Sequence, residues 1–111
     1  MARLNYVELP VSDASAARRF YEAAFGWSMT EFGPTYAATT SGDTDVGLQG
    51  DPGEATKAPL PVIEVEDLEQ ALAAVEAAGG KIIRPIFAFP GGRRFHFLDP
   101  DGNELAAVKA D

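Results

Sequence analysis

The chain repeats itself. Asp13 is followed thirteen residues later by Gly26, and Asp67 thirteen residues later by Gly80. A shift of 54 positions lays Val11 on Val65, Asp13 on Asp67, Ala17 on Ala71, and Glu22-Ala23-Ala24 on Glu76-Ala77-Ala78. A sequence that specifies one set of caps, faces and turns twice specifies one small module twice. Duplicated modules place matching faces around a common groove, where small molecules bind.

Each copy reads in the same order. Residues 4–11 alternate, with Val7, Leu9 and Val11 on one face and Tyr6, Glu8 and Pro10 on the other, which predicts a strand. Ser12 and Asp13 are N-cap residues for a helix over 13–25 whose Ala17, Phe20, Tyr21 and Ala24 form one apolar face. Gly26 is its left-handed terminator. Three strands follow, at Ser28–Phe32, Tyr36–Thr40 and Val46–Gln49, and a polar linker covers about 53–58. In the second copy Leu60–Val65 is a strand. Asp67 caps a helix over 67–79 that buries Leu68, Ala71, Leu72 and Val75. Lys81–Arg84, Arg93–Leu98 and Glu104–Val108 are strands, the first interrupted by Pro85. The expectation is an α+β single domain over 1–111: two βαβββ modules, at about 1–52 and 59–111, forming curved mixed sheets around a groove.

Composition narrows the function classes. No segment has the ~18 continuous apolar residues of a membrane span, and the opening residues lack a secretory pattern. The chain has no cysteine, so disulfides and thiolate metal sites are excluded. A cytoplasmic location is the simplest expectation. The formal charge of −8 argues against nucleic acid and anionic membranes as partners. With one histidine, any metal site would rest mainly on carboxylates.

Three segments carry a resemblance. VELPVSDASAARRFYEAAFGW (7–27), VIEVEDLEQALAAVEAAGG (62–80) and FHFLDPDGNEL (95–105) resemble, in order and spacing, the opening, middle and closing segments of the vicinal oxygen chelate superfamily. That superfamily includes glyoxalase I, extradiol dioxygenases and bleomycin-resistance proteins. The resemblance implies the duplicated fold over nearly the whole chain, pairing into a homodimer, and metal ligands at positions held here by Tyr6, Leu60 and Ala106. Glu104 lies two residues before the last of these. Tyr, Leu and Ala are poor divalent-metal ligands, so the expectation is no cofactor, with a divalent metal as the less favoured alternative.

Several residues are candidates for chemistry. Glu8 shares a strand face with Tyr6 and, if partly desolvated, could act as a general base, or it could be an ion-paired structural carboxylate. The resemblance puts His96 on the ligand side of the penultimate strand. It could contact a ligand or move a proton, or simply bond a neighbouring carboxylate, and it is expected outside the core. Arg94 shares the His96 face and could clamp an anion, or be a solvated rim charge or a partner for Glu8 or Glu104, whereas Arg93 faces the other way. Tyr6 and Tyr36 could offer hydroxyls. Leu60, Val62 and Ala106 would form apolar floor or wall beside Tyr6, Glu8, Arg94 and His96. The run from Pro85 to Pro90, with Phe87 and Phe89 on one side, could be a flexible apolar lip, or could pack within the chain or against a second subunit.

Two readings of function follow, and a third keeps the chain as an assembly subunit. The first is a metal-free binder of a small oxygenated or anionic molecule, similar to bleomycin-resistance proteins. The second is a lyase or isomerase of the glyoxalase type with Glu8 and His96 as acid–base groups.

Overall fold

The computed structural model describes all 111 residues. The elements run β1 (Arg3–Pro10), α1 (Ala14–Phe25), β2 (Thr30–Glu31), β3 (Tyr36–Ala38), β4 (Asp45–Gln49), β5 (Leu60–Glu64), α2 (Leu68–Ala77), β6 (Lys81–Phe89), β7 (Gly92–Leu98) and β8 (Glu104–Ala110). By contacts the chain divides into two compact units, Tyr6–Leu60 and Met1–Asn5 with Pro61–Asp111. In each, one helix packs on a mixed sheet, an α+β arrangement built twice.

The duplication is visible in the strand pairing. In the first unit β1 runs parallel to β4, while β3 pairs antiparallel with β4 and with β2. In the second, β5 runs parallel to β8, and β7 pairs antiparallel with β8 and with β6. Both modules therefore read strand, helix, three strands, with the first strand parallel to the last. A parallel return needs a crossover, and the helix supplies it.

The caps act where the sequence places them. Asp13 Oδ1 accepts from the backbone amides of Ser15 and Ala16 at 3.0 and 3.2 Å, and Asp67 Oδ1 from Gln70 at 3.0 Å. Gly26, at φ 69°, closes α1 in the left-handed conformation that glycine adopts without strain. Beneath α2, Leu68 packs with Phe95, Phe97 and Ala107, flanked by Ala71, Leu72 and Val75. Beneath α1, Met29, Ala37 and Leu48 pack with Leu9, Val11, Ala17, Tyr21 and Val46.

Three expectations are corrected here. The inward stripe of α1 is Ala14, Ala17 and Tyr21; Ala24 is exposed and Phe20 is 61% exposed. From this helix the cluster beneath takes in Ala17 and Tyr21. Phe20 instead meets the Tyr21 ring edge-on at 5.0 Å, and Tyr21, Phe25 and Trp27 stack on one another. Secondly, Pro85 does not interrupt its strand. β6 pairs only with β7 in its unit, and an edge strand tolerates a residue without an N–H by slipping register, here on both sides of Arg84. Thirdly, β2 covers two residues of the expected Ser28–Phe32. Phe87 and Phe89 are half-buried, with ring centroids 6.5 Å apart, in keeping with the packing alternative for this segment. No helix is long and apolar enough to cross a membrane.

Asp13→Ala should cost about 1 kcal/mol of stability through two lost capping bonds. Phe20→Ala, at an exposed ring, should stay within about 0.5 kcal/mol. Urea midpoints of the two variants check both values.

Candidate functional site

Strand β7 sets the chemistry of the second unit by alternation. Arg93, Phe95 and Phe97 turn to α2, where Arg93 forms a two-pronged pair with Glu69 at 2.7 and 3.2 Å. Arg94 and His96 turn to the opposite face. The β7–β8 hairpin pairs His96 with Ala106 and Leu98 with Glu104, so Glu104 is the diagonal neighbour of His96 on that face. His96 Nδ1 lies 2.8 Å from Glu104 Oε2.

The imidazole is not outside the core as expected. It is 2% exposed, because Phe87 closes on it with ring centroids 5.8 Å apart and Ala106 and Val62 lie along its rung of the sheet. Its Nε2 is buried without a hydrogen-bond partner. Burial lowers the His96 pKa below its ordinary 6.5. Arg94 and Arg84 push it the same way, while the Glu104 bond opposes them. The ring is therefore neutral at neutral pH. Because an ionised carboxylate only accepts, the ring proton sits on Nδ1 and Nε2 presents a lone pair. The Arg84 guanidinium lies 3.6 Å over the Phe87 ring, and that of Arg94 is 5.3 Å from Phe87 and 5.4 Å from Phe89.

In the first unit Tyr6 and Glu8 share the face turned away from α1. The Tyr6 and Tyr36 hydroxyls are hydrogen-bonded at 2.5 Å, and Glu8 accepts from the Gln49 amide at 3.3 Å. Both phenols lie over Gly47, where an added Cβ would overlap their oxygens. Glu8, Gly47 and Ala38 form one rung across three strands. The same rung in the second unit is Val62, Ala106 and His96. Glu8 and His96 are the only buried polar residues of the chain, and they occupy equivalent rungs of the two modules.

Of the candidate residues, the second unit brings together Arg94, His96, Val62 and Ala106; Leu60, the last residue of the first unit, opens β5 and is fully buried. The first unit brings together Tyr6 and Glu8. The sequence reading did not assign Glu104 to His96, nor single out Arg84, Gln49 or Gly47. Glu104 was signalled: the DPDGN turn fixes the hairpin register and puts residues 96 and 104 on one face. Gln49 and Gly47 depend on the parallel β1–β4 register, which no local signal encodes. The residues at the expected metal-ligand positions do not fit a divalent metal. Leu60 and Ala106 carry no donor, the Tyr6 hydroxyl is engaged by Tyr36, and nowhere do three His, Asp or Glu gather to hold an ion.

Comparison with known proteins gives the class. The model of the Glyoxalase/Bleomycin resistance protein/Dioxygenase superfamily matches residues 3–107, and the chain belongs to that superfamily. It is 30% identical over 118 residues to CFP32 of Mycobacterium bovis, whose name assigns it provisionally to the glyoxylases. The match covers 96% of this chain and 45% of that protein, so the chain spans about half its length. Among solved structures it is similar to methylmalonyl-CoA epimerase from Mycobacterium tuberculosis, with TM-score 0.75, 14% identity, and 97% and 87% of the two chains covered. It is also similar to the Mn(II)-bound glyoxalase from Novosphingobium aromaticivorans, with TM-score 0.70, 22% identity, and 98% and 40% covered. At these identities the structural likeness speaks for the fold alone.

As the only histidine, His96 should give a single imidazole titration in the proton NMR spectrum, with its midpoint below 6.5. The facing charges are Glu104 on β8, Arg84 on β6 and Arg94 on its own strand. The folded chain holds this proton more weakly than the unfolded chain. The stability linked to neutral His96 is thus complete above 6.5 and is lost as pH falls through the folded midpoint. Urea midpoints measured across this window should slope less in His96→Gln than in the wild type.

Proposed function

We propose that the chain is a metal-independent binder of a small oxygenated or anionic molecule, with the ligand on the face of the second unit turned away from α2. One observation carries this reading. The only two buried polar residues stand on equivalent rungs of a duplicated sheet, and one of them, His96, keeps a buried Nε2 without a partner. Buried polar groups are nearly always satisfied, so an orphan on the face turned away from the helix supports a missing ligand atom. Val62 and Ala106 supply apolar wall, and Arg94 and Arg84 supply positive charge. The donor set at Tyr6, Leu60 and Ala106 supports a site that works without a metal.

A second reading has one observation in its favour. A neutral imidazole held through Nδ1 by a carboxylate is also the arrangement of a general base. A lyase or isomerase of the glyoxalase type would then move its proton through His96, with Glu104 as holder.

The test is a screen of small oxygenated anions against chelator-treated, ¹⁵N-labelled protein. The expected result is amide shifts at Val62, His96 and Ala106 that persist in chelator. Binding that appears only with added divalent metal at one ion per chain would sink the metal-independent reading.

A further inference from the structure

We infer that the His96 site takes a hydroxyl compound with an apolar body, bound by donating its O–H to Nε2, and that Glu104 is the positioning residue that makes Nε2 an acceptor. This rests on the binding reading above and gives it a ligand class, defined by one donor and the carbon behind it.

The donor requirement comes from Glu104, and Glu104 is held by its turn. Asp99 Oδ1 accepts from the backbone amides of Asp101 and Asn103, and its Oδ2 from the Asn103 side chain, each at 2.9 Å. Gly102 completes the turn at φ 87°. The chain therefore enters β8 in a set register, with Glu104 diagonal to His96. With a carboxylate 2.8 Å from Nδ1, the neutral ring keeps its proton there. Nε2, on the other side of the ring, is buried without a partner and offers only a lone pair. A ligand hydroxyl satisfies it, whereas an ether or ketone oxygen would set lone pair against lone pair.

The apolar body follows from what surrounds the ring. Val62 and Ala106, on the same rung, are buried and carry no polar side-chain atom. The Phe87 ring closes the imidazole from the β6 side. A ligand at Nε2 makes one directed bond and otherwise meets carbon. A lone water there would be poorly held, since a buried water usually has about three polar partners and this rung offers one polar side chain. Arg84 and Arg94 have partners of their own and take no part in this contact.

Access comes from β6. Phe87, half-buried beside the imidazole, sits on a strand whose pairing with β7 slips register on both sides of Arg84. Pro85 contributes no N–H there. This stretch is the part of the site's wall least tied to the ladder, and it is the part that yields to admit a ligand.

The test uses the full chain, ¹⁵N-labelled, at pH 7.5, and three probes: benzyl alcohol, benzyl methyl ether and ethylene glycol. The first has donor and apolar body, the second lacks the donor and the third lacks the body. Long-range proton–nitrogen spectra of the single histidine report its tautomer and its response. The free protein should show the Nδ1–H tautomer. Benzyl alcohol should move the Nε2 resonance toward its protonated position while Nδ1 stays, the signature of a lone pair accepting a hydrogen bond. It should bind about tenfold more tightly than the ether, the loss expected for one unmade hydrogen bond, and at least about tenfold more tightly than the glycol, which buries little carbon. In Glu104→Gln the amide can donate to Nδ1 and leave the proton on Nε2. The preference for the alcohol over the ether should then shrink to near unity or reverse, which a purely structural role for Glu104 would not produce. An Nε2–H tautomer in the free wild type, or ether or glycol binding at His96 as tightly as the alcohol, overturns this inference and leaves the binding reading standing. A His96 side chain that none of the three probes moves also overturns it. The binding reading falls with it only where the anion screen leaves Val62, His96 and Ala106 unmoved as well. The tautomer and probe comparisons need only the wild type, so poor folding of the variant does not spoil them.

Discussion

Everything in this molecule depends on the two-sidedness of a β-strand. Successive side chains point to opposite faces, so a strand that commits one face to a helix has fixed which positions lie on the other. In β7 the residues facing α2 are Arg93, Phe95 and Phe97, and Phe95 is fully buried. That leaves Arg94 and His96 on the remaining face with no freedom to be elsewhere. A slip of one residue would drive the imidazole under the helix and strip Phe95 from the core. The site is held in register by the same burial that holds the fold together.

The pair of His96 and Glu104 is costly in isolation and reasonable in context. Taking an imidazole out of water disfavours its charged form, and two nearby guanidiniums disfavour it further. The molecule keeps the ring neutral. A neutral ring can be buried if each nitrogen finds a partner, and Glu104 satisfies one of them. The other nitrogen remains, in a chain that otherwise leaves few buried side-chain atoms unmatched. A cavity-filling leucine at position 96 would remove this cost, so the histidine is not explained by packing.

How much of this is readable in the sequence depends on range. Asp13, Asp67 and Gly26 act within a turn of their own positions, and the structure uses them as caps and terminator. The parity of 93, 94 and 96 is equally local. The closing hairpin is also local, so Glu104 could have been matched to His96 by counting across the DPDGN turn. Other features are set by distant partners. Phe20 has the spacing of a buried residue, yet it lies outside against the Tyr21 ring, while Ala17 and Tyr21 take the inward positions. Pro85 has the chemistry of a strand breaker, but an edge strand has no second neighbour to miss its N–H. The burial of His96 needs Phe87, brought over it by a slipped register that local pattern does not encode.

The equivalent rungs say why a duplicated sheet can change its chemistry without changing its fold. Glu8, Gly47 and Ala38 match Val62, Ala106 and His96 strand for strand. The central residue is small in both, and in the first unit the reason is direct: the Tyr6 and Tyr36 hydroxyls occupy the space a side chain at position 47 would take. A small centre lets the residues on either side carry the function. One module places its polar group on the first strand of the rung, the other on the third, and each fills the complementary position with Val or Ala. Neither choice alters the face that packs on the helix. The two faces of one strand can therefore change independently, as the different polar positions of the two modules show.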